Sequence, residues 1–167
     1  MNTKNKILSR EEINKKLVRL AWQIYEHNVG ESEIFLVGIK GRGEIMSSEL
    51  SIILNEISSF KINLGVITLN KDEPSLNEIS TNFDSINCTN KIVILIDDVL
   101  NSGKTLMYAN ASFLNIKPKK ISNLVLVNRT HTCFPVKADY IGFSLATTLQ
   151  EYITVVLDGV EQGGYLS

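Results

Sequence analysis

Two adjacent carboxylates, Asp97 and Asp98, close a continuous apolar run, Ile92–Ile96, and a turn of small polar residues follows, Asn101-Ser-Gly-Lys-Thr105. Two acids at the end of a buried strand are costly to hold without partners. The vicinal hydroxyls of a sugar, assisted by a divalent cation, would satisfy both. The turn leads into a helix N-terminus, where backbone N–H groups and the helix dipole favour a phosphate. Gly103 lets the backbone approach such a group closely, and Ser102 and Thr105 add hydroxyl donors. A diol site followed by a phosphate site describes a ribose 5-phosphate.

Two other phosphate-binding patterns fail on spacing. A P-loop ending in Gly103-Lys-Thr needs glycine five residues earlier, where this chain has Asp98. A dinucleotide fingerprint beginning at Gly41 needs a third glycine where Met46 stands. A blander reading, a helix cap beside a solvated acidic turn, leaves the strand, the two acids and the phosphate-type turn unconnected. A second group of candidates is Lys40-Gly-Arg-Gly43, at the end of the apolar run Ile34–Ile39. These charges could be solvated loop residues, but their place at a strand end favours contact with an anion.

Around these loops the sequence alternates strand and helix signals. Ser9-Arg-Glu-Glu12 is a capping box and predicts a helix to about Asn28, with Ile13, Leu17, Leu20, Ala21 and Ile24 as its buried stripe. A strand over 34–39 and an amphipathic helix from Ile45 to Ile57 come next, then a strand over 62–69. Residues 70–90 turn polar and lose periodicity, which in a compact domain marks a lid or a disordered loop. Further strands are predicted over 92–96, 122–128, 140–143 and 152–157, with a helix over 102–114. This order describes an α/β domain with a mainly parallel sheet flanked by helices, which binds ligands at the carboxyl ends of its strands. Loops 40–43 and 97–105 both fall there, so they form one candidate site.

Composition sets the outer limits. A chain of 167 residues, 44% hydrophobic, suits one domain spanning 1–167. Seventeen basic and eighteen acidic residues leave a net charge of -1, with no overall basic field for nucleic acid. Cys88 and Cys133 lack Cys-x-x-Cys spacing and read as reduced thiols. No apolar run approaches the ~20 residues that span a bilayer. The polar stretch Met1–Lys6 carries no signal-peptide core, so the expected location is the cytoplasm.

Val93–Thr105 resembles the phosphoribosyl pyrophosphate (PRPP) signature of the type I phosphoribosyltransferases: an apolar strand, two acids, two apolar residues and a small-residue phosphate turn. Within that family the chain is most similar to the PyrR-like branch, which couples uracil phosphoribosyltransferase activity to regulation of pyrimidine genes. The supporting segments are Leu36–Gly43, Ile67–Leu69, Ile96–Leu100 and Ala138–Gly142, and the resemblance covers nearly the whole chain. It implies the type I fold with a flexible lid at about 70–90 and a small hood, from about 129–138 and 143–152. It also implies transfer of the 5-phosphoribosyl group of PRPP to a nucleobase, uracil first, with release of pyrophosphate. Asp97 and Asp98 would bind the ribose hydroxyls, with Mg2+ held largely through PRPP or water. Residues Asn101, Ser102, Gly103, Lys104 and Thr105 would cradle the 5′-phosphate. Lys40, Gly41, Arg42 and Lys71 would meet the pyrophosphate, and Val99, Arg129 and His131 would face the base from the hood side. Catalysis would then rest on Asp97, Asp98, Lys40 and Arg42 through positioning and leaving-group electrostatics.

The chain departs from the PyrR-like pattern in four places. Asn70-Lys-Asp-Glu73 stands where the lid begins with tyrosine and arginine, so Lys71 replaces a bidentate fork with a point charge. Asn101 stands where purine transferases of similar fold place an acid, and an amide cannot act as a general base. Asn128-Arg-Thr-His131 keeps Arg129 and His131 of an aspartate, arginine, glycine, histidine run. The first helix keeps Arg19 but carries Val18, Trp22 and Tyr25 as a stripe beside its buried one, better suited to protein than to phosphates. These features predict a homodimer or larger oligomer and disfavour RNA binding. The competing readings are an RNA-binding regulator sensing nucleotides through the same pocket, a hypoxanthine–guanine-type transferase, and a PRPP-binding paralogue with little turnover.

Overall fold

The computed structural model describes residues 5–146 and 151–167. Its elements are β1 (Asn5–Ser9), α1 (Arg10–His27), β2 (Glu33–Ile39), α2 (Arg42–Ile57), β3 (Lys61–Thr68), β4 (Ser80–Thr81), β5 (Ile92–Leu100), α3 (Lys104–Phe113), β6 (Lys120–Arg129), β7 (Tyr140–Leu145), β8 (Ile153–Val156) and β9 (Gly163–Leu166). Six strands form one sheet in the order β4-β3-β2-β5-β6-β7, parallel throughout except for the short edge strand β4. Three others form a separate antiparallel sheet, β1-β9-β8.

Side-chain alternation along the central strands builds two cores. Ile34, Leu36, Ile92, Ile94, Ile96, Leu124 and Leu126 face α1 and α2 on one side of the sheet. Phe35, Val37, Val93, Leu95 and Val125 face α3 on the other. Both faces are covered, so these strands read as continuous apolar runs in the sequence. The capping box at Ser9 forms as expected. Its hydroxyl accepts from the Glu12 N–H at 3.2 Å, and the Glu12 carboxylate accepts from the Ser9 N–H at 2.8 Å. The five expected residues of α1 are its buried ones.

Three features differ from the sequence expectation. β5 does not stop at Ile96 but runs to Leu100, because β6 continues to pair with it through Asp97, Val99 and Leu100. The two aspartates are therefore strand residues. Second, the stretch 70–90 is not structureless: it holds short 3-10 turns at Leu76–Glu78 and Ser85–Cys88 and the pairing of β4 with β3. Its latter half is fastened by Phe83, whose ring lies 2.4 Å from where a Cβ on Gly65 would stand and stacks beside Phe35, and by the fully buried Cys88. Third, the strands at the two ends of the chain, β1 and β9, add a sheet that local patterning did not reveal. Of the expected hood segment 143–152, residues 147–150 lie outside the described residues.

One close approach positions the site. A Cβ on Gly43 would stand 2.3 Å from the Ile96 carbonyl oxygen. Glycine there lets the first turn of α2 press against β5 one residue before Asp97.

Candidate functional site

Consecutive strand residues point to opposite faces of a sheet, and this splits the two aspartates. Asp97 shares its face with Val93 and Leu95, toward α3 and the start of the 70–90 segment. Asp98 shares its face with Ile94 and Ile96, toward α2. Both are nearly buried, 3% and 6% exposed, so each needs a local partner. Lys71 Nζ donates to Asp97 Oδ1 at 3.0 Å, and Arg42 Nη1 donates to Asp98 Oδ2 at 3.4 Å. The backbone N–H of Asp98 also donates to Asp97 Oδ1, at 3.0 Å. These bonds do not fully compensate. Burial, reinforced by the charge of Asp98 and opposed by Lys71, pushes the Asp97 carboxyl up to about 7.

On the Asp97 side the turn 101–105 encloses a small cavity of about 40 Å3, lined by Asp97, Val99 and residues Asn101 to Leu106. Gly103 caps α3 in the left-handed region, φ 86°, and has no side chain of its own to cap the helix. The Lys104 N–H donates to Ser102 Oγ at 3.3 Å, and this helix N-terminus is where backbone donors could hold an anion. The turn is held from two directions. The Ser102 carbonyl accepts from the N–H groups of Cys133 and Phe134 at 2.8 and 3.0 Å. Lys104 Nζ donates to the Asp72 carbonyl at 2.9 Å, tying the turn to the segment that carries Lys71.

On the Asp98 side lies a cavity of about 160 Å3, lined by Arg42, Asp98, Val99, Asn101, Arg129, Tyr152 and Ile153. Arg129, at the end of β6 and only 6% exposed, donates from Nη1 to Asn101 Oδ1 at 2.6 Å. Larger hollows exist elsewhere, about 430 Å3 beside the end of α3 and about 670 Å3 beside Glu33 and Lys61. Neither touches the paired aspartates, so size is no guide to the chemistry here.

The structure thus brings Asp97, Asp98, Arg42, Lys71, Val99, Arg129 and residues 101–105 together at the carboxyl ends of the central strands. Lys40 stands at the same strand end, but its Nζ pairs with Glu44 at 3.1 Å rather than with the aspartates. Gly41 forms the N-cap of α2, and no peptide bond among the described residues is cis. His131 lies exposed on the loop after β6 and does not line either cavity. Sequence reasoning missed Tyr152 and Ile153 as lining residues. Their place depends on the terminal sheet, where Tyr152 exchanges backbone hydrogen bonds with Ser167 at 2.8 and 3.0 Å, and no local pattern signals that pairing.

The two buried carboxylates also fit an ion. Among the described residues no cluster of three or more His, Cys, Asp or Glu could hold a metal by itself. Mg2+ does not need such a cage: it keeps several waters and is held by one or two carboxylates together with substrate phosphates.

Comparison with known proteins gives a consistent result. The phosphoribosyl transferase domain model matches residues 4–157. The bifunctional protein PyrR of Clostridium acetobutylicum is 33% identical over 171 aligned positions, covering 97% of this chain and 95% of the relative. PyrR from Staphylococcus aureus is 33% identical over 163 positions, covering 93% of both. Among solved structures, a hypoxanthine-guanine phosphoribosyltransferase from Bacillus anthracis superposes with a TM-score of 0.72 at 24% identity, covering 89% of this chain and 84% of that one. A hypoxanthine phosphoribosyltransferase from S. aureus gives 0.69 at 20% identity, covering 84% and 77%. These structural likenesses speak for the fold.

Proposed function

Since the chain belongs to the phosphoribosyl transferase family, we propose that it moves the 5-phosphoribosyl group of PRPP to uracil and releases pyrophosphate. The observation that carries this reading is the pair of buried aspartates, one facing the turn 101–105 and the other the cavity lined by Arg42, Arg129, Tyr152 and Ile153. A ribose bridging the two faces would set its 5′-phosphate on the N–H groups of Gly103–Thr105 and its anomeric carbon toward the 160 Å3 cavity.

In this reading the C1–O bond to pyrophosphate breaks as a ring nitrogen of the base forms the C1–N bond, and the base loses the proton of that nitrogen. Asp97 and Asp98 accept from the ribose hydroxyls and hold the sugar while positive charge develops on it. Arg42 and Lys71, each touching one aspartate before substrate arrives, are placed to turn toward the departing pyrophosphate; Lys40 and Gly41 stand at the same strand end. Asp97 and Asp98 would help hold Mg2+, largely through PRPP or water, and the ion would supply neutralisation of the pyrophosphate charge. Residues 70–75, tied to the phosphate turn through Lys104 and Asp72, exclude water, which would otherwise hydrolyse PRPP.

The free thiols of Cys88 and Cys133 suit a cytoplasmic enzyme. Val18 and Trp22, each 44% exposed on α1, suit contact with a second copy of the chain in a homodimer. The same helix fits RNA poorly, because Arg19 spends its guanidinium on the carbonyls of Ile141 and Gly142. The test is to incubate the protein with PRPP, Mg2+ and uracil, hypoxanthine, guanine, adenine or orotate and to identify the nucleotide formed. UMP alone is expected. A purine nucleotide overturns the base assignment, and PRPP binding without any product overturns the transferase activity.

A further inference from the structure

Asn101 is the residue of the hood cavity whose hydrogen-bonding polarity the fold fixes. A guanidinium carries only donors, so the atom of Asn101 that faces Arg129 Nη1 at 2.6 Å is the carbonyl oxygen Oδ1. The amide is planar, and its Nδ2 donors are therefore turned away from Arg129. Arg129 cannot easily shift: it is 6% exposed, at the end of β6, the strand paired with β5 along its length. Asn101 itself lines both the phosphate cavity and the hood cavity. An unpaired amide would be free to flip and offer either a donor or an acceptor. This one is locked as a donor.

Resting on the transferase reading above, we propose that Asn101 is a specificity-determining residue, presenting Nδ2 to a hydrogen-bond acceptor on the base, with Arg129 as the positioning residue that fixes its orientation. The class of base so selected carries a carbonyl oxygen beside the nitrogen that bonds to the sugar, as uracil does through its 2-oxo group. A carboxylate at position 101 would offer the reverse polarity, an acceptor suited to a ring N–H. Tyr152 and Ile153 line the same cavity and add apolar surface for a base.

The test separates the base contact from the sugar-phosphate contact and needs no turnover. Affinities for ribose 5-phosphate and for UMP are measured by calorimetry on the whole protein, with Mg2+, for the natural chain and for Asn101→Asp and Arg129→Gln. The natural chain is expected to bind UMP at least tenfold more tightly than ribose 5-phosphate. Asn101→Asp is expected to remove most of that advantage, since both carboxylate oxygens are acceptors; its new charge also lines the phosphate cavity and lowers ribose 5-phosphate affinity, so the readout is the ratio of the two affinities. In Arg129→Gln the new amide offers an acceptor as well as donors, so Asn101 can flip and the advantage falls only in part. Steady-state kinetics should follow, with kcat/KM for uracil falling further in Asn101→Asp than kcat/KM for PRPP. An unchanged UMP advantage in Asn101→Asp, or an equal fall in both ligands, overturns the role of Asn101. Full retention of the advantage in Arg129→Gln overturns the positioning role. If the natural chain binds neither ligand, the ribose-phosphate site itself is wrong and the inference falls with it.

Discussion

Replacing Asp97 with asparagine should stabilise the folded protein above neutral pH while weakening PRPP binding. Burial, with the charge of Asp98 beside it, pushes this carboxyl up from its ordinary 3.8 to about 7. Between pH 4 and 7 the folded chain therefore holds a proton that the unfolded chain has released, so stability declines as pH rises through that window. At about 1.4 kcal/mol per pH unit, the shift from 3.8 to 7 sets a ceiling of roughly 4 kcal/mol. Relaxation of the buried charge and a higher effective dielectric should leave about half, on the order of 2 kcal/mol. Asparagine mimics the protonated acid and escapes this loss. For a chain of this size ~2 kcal/mol corresponds to roughly 4–8 °C in Tm. Thermal unfolding of the natural chain and Asp97→Asn should therefore give nearly coincident Tm values below pH 4. By pH 8.5 the variant should lead by several degrees. Parallel curves across this range, or a variant less stable at pH 8.5, would refute the claim that Asp97 is held partly protonated by burial. The variant should also lose PRPP affinity at pH 8, which a purely structural aspartate would not require.

Lys71→Ala removes the cation beside Asp97, so the proton on that carboxyl should be held to still higher pH and kcat/KM for PRPP should fall roughly tenfold to hundredfold, measured as a pH profile. Gly103→Ala forces a Cβ to within 2.7 Å of Val136 Cγ1 at a left-handed φ of 86°; denaturant titration should show a loss of about 1–3 kcal/mol, with weakened ribose 5-phosphate binding. Gly43→Ala drives a Cβ against the Ile96 carbonyl, a backbone atom that cannot step aside, so it should cost more stability than Gly103→Ala. Ser9→Ala breaks the capping box of α1 and should cost about 1 kcal/mol in unfolding while leaving kcat and both KM values unchanged.

What could be read without a structure was whatever depends on neighbours in the chain. The Ser9–Glu12 box, the α1 stripe and the apolar runs of β2 and β5 are local signals, and helix and strand periodicity make them legible. The aspartate pair and the small-residue turn after it were legible for the same reason: they lie within nine consecutive residues, Asp97 to Thr105. Tertiary structure decided which partner each acid meets. Sheet alternation sends Asp97 to Lys71 and Asp98 to Arg42, residues 26 and 56 positions away. It also decided that Arg129 turns the Asn101 amide, a bond across 28 positions, and that β1 meets β9 at opposite ends of the chain. Such contacts follow from which strands the sheet sets side by side, and β6 beside β5 is a fact of topology that no local pattern of residues encodes.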